Sequence, residues 1–212
     1  MKHVIGKSQH GFTKGRSCLT NLVAFYDKVT CLVDMGQAVD IVYLDLSKAF
    51  DTVPHSLLLE RLMCYGPDKG SVQWVGTWLT GRTHRVVVNS SFSDWQPVTG
   101  GVPQGSILGP MLFSIFISDL GTGIKRGLME FADDTKVSGE ADTPEGRAAL
   151  QGGLGRLEEW ASKSLMKVSK DKCKVLQLGK HNAGVQHSLG PTWLGSSSVG
   201  RDLGVLVGGS ST

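Results

Sequence analysis

Residues 39–46 read VDIVYLDL, and residues 128–137 read LMEFADDTKV. The first run is short and rich in β-branched and aromatic side chains, the pattern of a mostly buried strand, and it carries Asp45 near its end. The second predicts two short strands, 128–132 and 135–137, separated only by Asp133 and Asp134, and hence a tight β-hairpin. A carboxylate on an apolar strand is expensive unless something pairs with it. Adjacent aspartates in a two-residue turn repel each other unless a cation lies beside them. Packing the Asp45 strand against the hairpin would bring the three acids together. Such a cluster suits magnesium, which takes a few carboxylate oxygens plus substrate phosphates. Two such ions serve in-line phosphoryl or nucleotidyl transfer. Each feature also has a plainer reading: Asp-Asp is an ordinary hairpin turn, and Asp45 can cap the helix that follows.

Working outward, residues 54–65 predict a helix with Pro54 at its first turn and Gly66 after its last. Residues 71–79 predict a second helix, with Val72, Val75, Trp78 and Leu79 on one face and Gly81 as its stop. Residues 85–88 and 95–98 read as a hairpin about Asn89-Ser90-Ser91. A glycine-proline turn over 100–106 leads into a helix over about 110–120. Thr143 caps a further helix whose first position is Pro144, and Leu150, Leu154, Leu157 and Trp160 form its core stripe. Residues 175–178 and 203–207 predict late strands, and 181–200 read as loose. Helices and antiparallel strands mix without βαβ alternation. The expected class is α+β, a small antiparallel sheet with helices on one face.

Of the 212 residues, 40% are hydrophobic and 19% charged, which argues against a largely disordered chain. Cys18, Cys31, Cys64 and Cys173 form no C-x-x-C pair, so neither a zinc site nor a redox dithiol is indicated, and a reducing, intracellular setting is expected, nuclear or cytoplasmic. Residues 1–12 lack the apolar run of a secretory signal. Residues 95–118 are uncharged and long enough to span a bilayer, but they hold Gly100, Gly101, Pro103, Gly105, Gly109 and Pro110, so no membrane span is predicted. The net charge of +3 hides an uneven layout: residues 1–28 carry +4, residues 29–160 carry −6 and residues 161–180 carry +5. Basic flanks about an acidic centre fit a polyanion held beside a metal-binding carboxylate cluster, or simply solvated lysines.

Six stretches occur in order: QHGFTKGRSCLTNL (9–22), VYLDLSKAFDTVPH (42–55), GGVPQGSILGPMLFSIFISDL (100–120), FADDTK (131–136), RLEEWASKSLMKVSKDKCKVLQLG (156–179) and RDLGVLV (201–207). Together they closely resemble the reverse transcriptase of non-LTR, LINE-like retrotransposons, near the chicken-repeat clade and the jockey-type elements. The resemblance implies a right-hand polymerase palm with partial fingers: residues 1–37 as a fingers segment, 38–180 as the palm, and 181–212 as a loose segment with a primer-grip-like end. It implies an RNA template, a DNA primer and a deoxynucleoside triphosphate as partners, and two Mg2+ ions, with Mn2+ as a substitute.

Residue by residue, the resemblance makes Asp45 the first metal-binding aspartate, with the backbone carbonyl of Leu46 as an added ligand. Asp133 and Asp134 match the polymerase signature, and all three acids are its catalytic residues. Phe50 matches the aromatic gate against a ribose 2′-OH, or is a plain core residue. Gln104 and Gly105 match the loop lining the nucleotide and template site. Lys172 falls where a lysine meets the triphosphate or protonates the leaving pyrophosphate. Arg16 matches a fingers residue touching template or triphosphate, and Leu203-Gly204 the primer-grip turn.

The match also has departures. The chain is expected to begin inside the fingers and stop before a thumb. Glycine, at 28 residues, is about twice its usual ~7% share. Gly121, Gly152, Gly153, Gly155 and Gly208 stand where relatives carry polar residues, and Val168-Ser169 replaces Phe-Asn. These features suggest a decaying copy, weak or inactive as truncated. A non-catalytic nucleic-acid-binding remnant and an inert pseudogene product are the alternatives.

Overall fold

The computed structural model describes residues 5–124 and 127–208; the outermost residues of the two expected end segments, 1–4 and 209–212, lie outside the described residues. In chain order the elements are α1 (Cys18–Asp34), β1 (Val39–Leu44), a 3-10 turn (Ala49–Asp51), α2 (His55–Tyr65), α3 (Lys69–Leu79), β2 (Thr83–His84), β3 (Val87–Val88), β4 (Ser91–Phe92), β5 (Gln96–Pro97) and α4 (Leu108–Phe116). Then come β6 (Leu128–Phe131), β7 (Asp134–Glu140), α5 (Pro144–Lys163), β8 (Lys174–Leu178), β9 (Ser188–Leu189), β10 (Thr192–Trp193), β11 (Gly195–Ser197), β12 (Val199–Asp202) and β13 (Val205–Gly208). The chain forms two compact units, one of Met1–Ile5 with Lys48–Ile117, the other of Gly6–Ser47 with Ser118–Thr212. Among the described residues no helix is long and apolar enough to cross a membrane.

The second unit is built on a five-stranded sheet in the order β11-β8-β1-β7-β6. Strand β1 is central, antiparallel to β7 on one side and to β8 on the other. The sheet is mixed rather than wholly antiparallel, because β11 pairs parallel to β8. Val39, Ile41, Phe25, Val29, Met129 and Leu176 form one core cluster, which places α1 on the face shared by the odd residues of β1. Gly139 pairs with Asp40 and so shares the opposite face, where Leu150 of α5 packs against it. The α+β mixture is as expected. The cover is fuller than one face of helices: α1 lies on one face of the sheet and α5 packs on β7 from the other, and Val39, Asp40, Ile41 and Val42 are all fully buried.

Local signals set the helix ends. The Thr143 hydroxyl accepts from the Gly146 N–H and Pro144 occupies the first position, as read from the sequence. Gly66 ends α2 at φ 84. In the first unit α2 packs on α3 and α4. The expected hairpin over 85–98 has a different register: Val87–Val88 pairs with Ser91–Phe92, and Thr83–His84 pairs with Gln96–Pro97. Its two-residue turn is Asn89-Ser90, both at positive φ, and the Ser93 hydroxyl breaks the ladder by accepting from Val86 N–H. Two further expectations are corrected. The stretch 181–200 is not loose, since β9, β10 and β11 lie in it. The run 203–207 is not one strand, since Leu203 and Gly204, at φ 45 and 87, turn the chain between β12 and β13.

Gly152, Gly153 and Gly155 all lie inside α5. A Cβ would meet nothing within 4 Å at Gly152 and Gly155, and only Ile124 at 3.9 Å at Gly153. Changing each to alanine is expected to stabilise by roughly 0.4–1 kcal/mol. The three together should raise the melting temperature by about 2–12 °C, measured by calorimetry. Gly146→Ala should do the reverse, because its Cβ would lie 2.5 Å from the Glu140 carbonyl oxygen.

Glu130 is buried on β6, where Ser8 Oγ donates to its Oε2 at 3.1 Å while Oε1 has no partner among the described residues. Burial pushes its carboxyl up to about 7, with Asp119 adding to the rise and the Ser8 bond opposing it. The native state therefore holds this proton more tightly than the unfolded chain. Stability from this group is complete below about pH 4.5 and is lost as pH rises through about 7, a difference of about 3 kcal/mol. Glu130→Gln should leave stability at pH 4 unchanged and raise it at pH 8, in urea titrations at the two pH values.

Candidate active site

Asp45 follows β1 directly, at the edge of the cover that buries that strand. Its carboxylate is about one-third exposed, and Lys172 Nζ lies 3.3 Å from both of its oxygens. An isolated bridge between Leu46 and Val168 fixes the backbone here: Ser47 N–H donates to Lys167, and Ser169 N–H donates to the Asp45 carbonyl. That bridge leaves the Leu46 carbonyl unused. The neighbouring hairpin differs from its expected form by one residue. Phe131 pairs with Asp134, so the turn is Ala132-Asp133, and Asp134 is the first residue of β7. Ala132 takes φ 55, the positive value required at the first position of a type II′ turn.

The three acids influence one another. Partial burial raises the Asp133 carboxyl, and Asp45 raises it further against the pull of Lys172. Asp134 still faces solvent, yet desolvation together with Asp133, Asp202 and Asp45 pushes it up to about 6, opposed by Lys136. A pocket of about 160 Å³ is lined by Asp45, Asp134, Lys136, Lys172, Arg201 and Leu203, among others. Among the described residues no three His, Cys, Asp or Glu side chains cage an ion unaided. Magnesium asks for less: one or two carboxylates, with water and phosphate oxygens completing the shell. Mutually repelling carboxylates beside an open pocket fit a cation of that kind.

The remaining predicted residues fall as follows. Leu203-Gly204 forms the β12–β13 turn, and Leu203 reaches the same pocket as Asp45. Arg16 is half-buried and donates through Nη1 to the carbonyls of Lys7 and Gln9, the latter at 2.6 Å, so it braces backbone. Phe50, Gln104 and Gly105 belong to the first unit. There Phe50 is half-buried and stacks on Phe113 with ring centroids 4.1 Å apart. Val102 N–H donates to the Phe50 carbonyl at 2.7 Å, tying the Gly-Pro loop to it, and Gln104 Nε2 donates to Asp51 at 3.3 Å. Gly105 takes φ 74 in open space.

A buried polar group under the pocket was not read from the sequence. Lys136 Nζ pairs with Asp202 Oδ2 at 2.5 Å, each side chain 5% exposed. The Tyr26 hydroxyl donates to the same oxygen at 2.8 Å and lies 2.7 Å from the Tyr43 hydroxyl. Lys136 also sits over the Phe25 ring at 4.6 Å. Desolvation lowers the lysine, against the pull of Asp202, and burial pushes the Tyr43 phenol up to about 12. The group joins the β12–β13 hairpin to the sheet that carries Asp134. The period of two was the available signal, since Tyr43 stands two residues from Asp45 and Lys136 two from Asp134, on the same face.

Comparison with known proteins gives one consistent result. The family model described as "Reverse transcriptase (RNA-dependent DNA polymerase)" matches residues 1–197. The probable RNA-directed DNA polymerase from transposon BS of Drosophila melanogaster is 28% identical over 182 residues, covering 81% of this chain and 20% of that protein. The RNA-directed DNA polymerase from mobile element jockey of Drosophila melanogaster is 33% identical over 141 residues, 62% of this chain and 15% of that one. The chain thus spans about a fifth or less of these relatives. Among solved structures, apo telomerase from Candida tropicalis aligns with a TM-score of 0.62 at 12% identity, over 98% of this chain and 36% of that one. Telomerase from Candida albicans, in complex with a TWJ fragment of telomeric RNA, aligns at 0.61 and 12%.

Removing one partner of the buried Lys136–Asp202 pair leaves an uncompensated charge. Lys136→Met should cost about 3–5 kcal/mol of stability, and adding Asp202→Leu should recover a large part of it. Urea unfolding of the two single variants and the double variant measures this coupling. Equal losses in Lys136→Met and in the double variant would show that the pair is not what holds the hairpin.

Proposed function

The chain belongs to the reverse transcriptase family, as a LINE-like domain of the non-LTR kind, and from that premise we propose that its acidic pocket performs nucleotidyl transfer from a deoxynucleoside triphosphate to a primer 3′-OH on an RNA template. The observation that carries this reading is that Asp45, just past β1, and Asp134, at the start of β7, line one pocket with Lys172 and Arg201, while Asp133 beside them lies near enough to Asp45 for each charge to be felt.

Asp45 and Asp133 would hold two magnesium ions, with Asp134 adjoining and the Leu46 carbonyl within the same strand end. When bound, they would favour the alkoxide of the primer hydroxyl and offset charge on the reacting α-phosphate and the departing pyrophosphate. The protein's own work is orientation and charge. Lys172, now paired with Asp45, is placed to exchange that partner for a triphosphate oxygen or to give a proton to pyrophosphate. Phe50, half-buried against Phe113, is the proposed gate against a 2′-OH, and Gln104 with Gly105 the nucleotide-side loop. Leu203-Gly204, at the pocket rim, is the proposed primer contact, and Arg16 supports the template side through the backbone it braces. An RNA template as partner is what membership of an RNA-dependent DNA polymerase family suggests.

A second reading, nucleic-acid binding without catalysis, is favoured by one observation in the first unit. Arg85 stacks over Phe92 at 4.2 Å and Trp95 at 4.6 Å on an exposed hairpin, the composition of a base-stacking surface.

Primer extension separates the two readings. The 212 residues by themselves are expected to add one or a few nucleotides at high protein concentration in Mg2+ or Mn2+, without processivity, because holding the duplex in register supplies much of a polymerase's advantage. Asp133→Asn should abolish that addition while leaving salt-dependent RNA binding intact. Binding with no addition under any metal condition would favour the second reading.

A further inference from the structure

Gln9 is fully polar and almost fully buried, at 1% exposure, and the chemistry described above does not use it. The segment around it meets β6 in one parallel bridge: His10 N–H donates to the Glu130 carbonyl at 2.9 Å, and Glu130 N–H donates to the Ser8 carbonyl at 3.0 Å. From that bridge the Gln9 side chain reaches the turn that holds Asp133. Its Oε1 accepts from the Ala132 N–H at 2.8 Å and from the Gly11 N–H at 2.6 Å, and its Nε2 donates to the Ala132 carbonyl at 3.1 Å. One side-chain amide therefore satisfies both backbone groups of Ala132.

Ala132 is the residue that needs holding. Its φ of 55 lies in the left-handed region that favours glycine. Gly11 comes so close that a Cβ there would sit 2.2 Å from the Ala132 nitrogen. The brace is itself fixed, by Arg16 donating to the Gln9 carbonyl and Asn21 Nδ2 donating to the Glu130 carbonyl at 2.9 Å. An amide suits this place because it presents a donor and an acceptor side by side; an ionised carboxylate lacks the donor, and a thioether lacks both strong groups.

Resting on the polymerase reading above, we propose that Gln9 is a positioning residue: its amide holds Ala132 in the left-handed conformation and so sets where the next residue, Asp133, presents its carboxylate. It acts through the turn and touches neither substrate nor ion.

The test uses the full 212-residue chain labelled with 13C-alanine, because alanine Cα and Cβ shifts report the backbone conformation directly. Ala132→Gly identifies the resonance. Mn2+ is titrated in parallel as the probe ion, with Asp133→Asn as the reference for a lost site. In Gln9→Met the Ala132 signals should leave the left-handed position and Mn2+ should bind roughly tenfold more weakly, with circular dichroism and the other alanine signals unchanged. Gln9→Glu, which keeps the accepted bonds and loses the donated one, should fall between. Ala132→Gly added to Gln9→Met should recover part of the Mn2+ affinity, since glycine takes positive φ without a brace. Unmoved Ala132 signals in Gln9→Met, or moved signals with unchanged Mn2+ affinity, overturn the proposal. If Gln9→Met does not fold, Gln9→Glu is judged by the same two readouts. A parent chain that binds Mn2+ no better than Asp133→Asn overturns the polymerase reading and the proposal with it. That failure is recognisable because the Ala132 signals are read without metal.

Discussion

Strand β1 is paired along both edges and covered on both faces, so every polar group it carries must be answered from within the protein. Much of the second unit follows from that demand. Asp40, with no exposure, is met by His187 Nε2 at 2.7 Å and by Asn182 Nδ2 at 2.8 Å, which brings the segment after β8 back over the sheet. The Tyr43 hydroxyl is met by Tyr26, and through it by Asp202 and Lys136, which ties the β12–β13 hairpin to the same sheet. Asp45 lies where the cover ends. Its carboxylate pairs with Lys172, two-thirds of whose side chain lies in solvent. The segment thus runs from a carboxylate fully enclosed by the fold, Asp40, to one that is one-third exposed, Asp45.

The same logic explains why the acids of the hairpin do not collapse into ordinary surface aspartates. Desolvation and mutual repulsion raise both Asp133 and Asp134. Lys172 and Lys136 relieve that repulsion from two sides without cancelling it. Lys136 is itself committed to Asp202 in a buried pair at the wall of the pocket. Lys172 differs from it in exposure, with two-thirds of its side chain in solvent beside Asp45.

What was legible in the sequence was local. The Thr143-Pro144 cap, the Gly66 stop and the apolar run of β1 each depend on neighbours within a few residues, and each is found where it was read. The acids Asp45, Asp133 and Asp134 were legible as candidates, and the structure sets them near enough for their charges to influence one another. The register of their turn was not, because alanine is a poor choice for positive φ and nothing near it in sequence explains its presence there. The explanation is Gln9, 123 residues away. Lys136 and Asp202, 66 residues apart, were hidden for the same reason. Strands β9 to β11 escaped because serine- and glycine-rich stretches carry little pattern, and their placement rests on distant partners: β11 pairs with β8, and Gln151 of α5 bonds Ser188 of β9.

Glycine, the compositional outlier, divides by position in a way that bears on function. At Gly11 and Gly127 another backbone comes closer than any Cβ allows: 2.2 Å to the Ala132 nitrogen and 1.9 Å to the Ser138 carbonyl oxygen. The first contact supports the turn of Asp133, and the second aligns β6 with β7, the two strands of that hairpin. Gly152 and Gly155 in α5 have open space and serve no such approach. Yet α5 packs on β7, which carries Asp134 and Lys136. Helix-weakening glycines there lower the stability of the support without touching the site, whereas a side chain at Gly11 would displace the site while leaving the support whole. The acidic turn can therefore be disturbed by two physically separate routes, a soft scaffold under an intact turn or a misaligned turn on a sound scaffold, and stability measurements distinguish the first from the second.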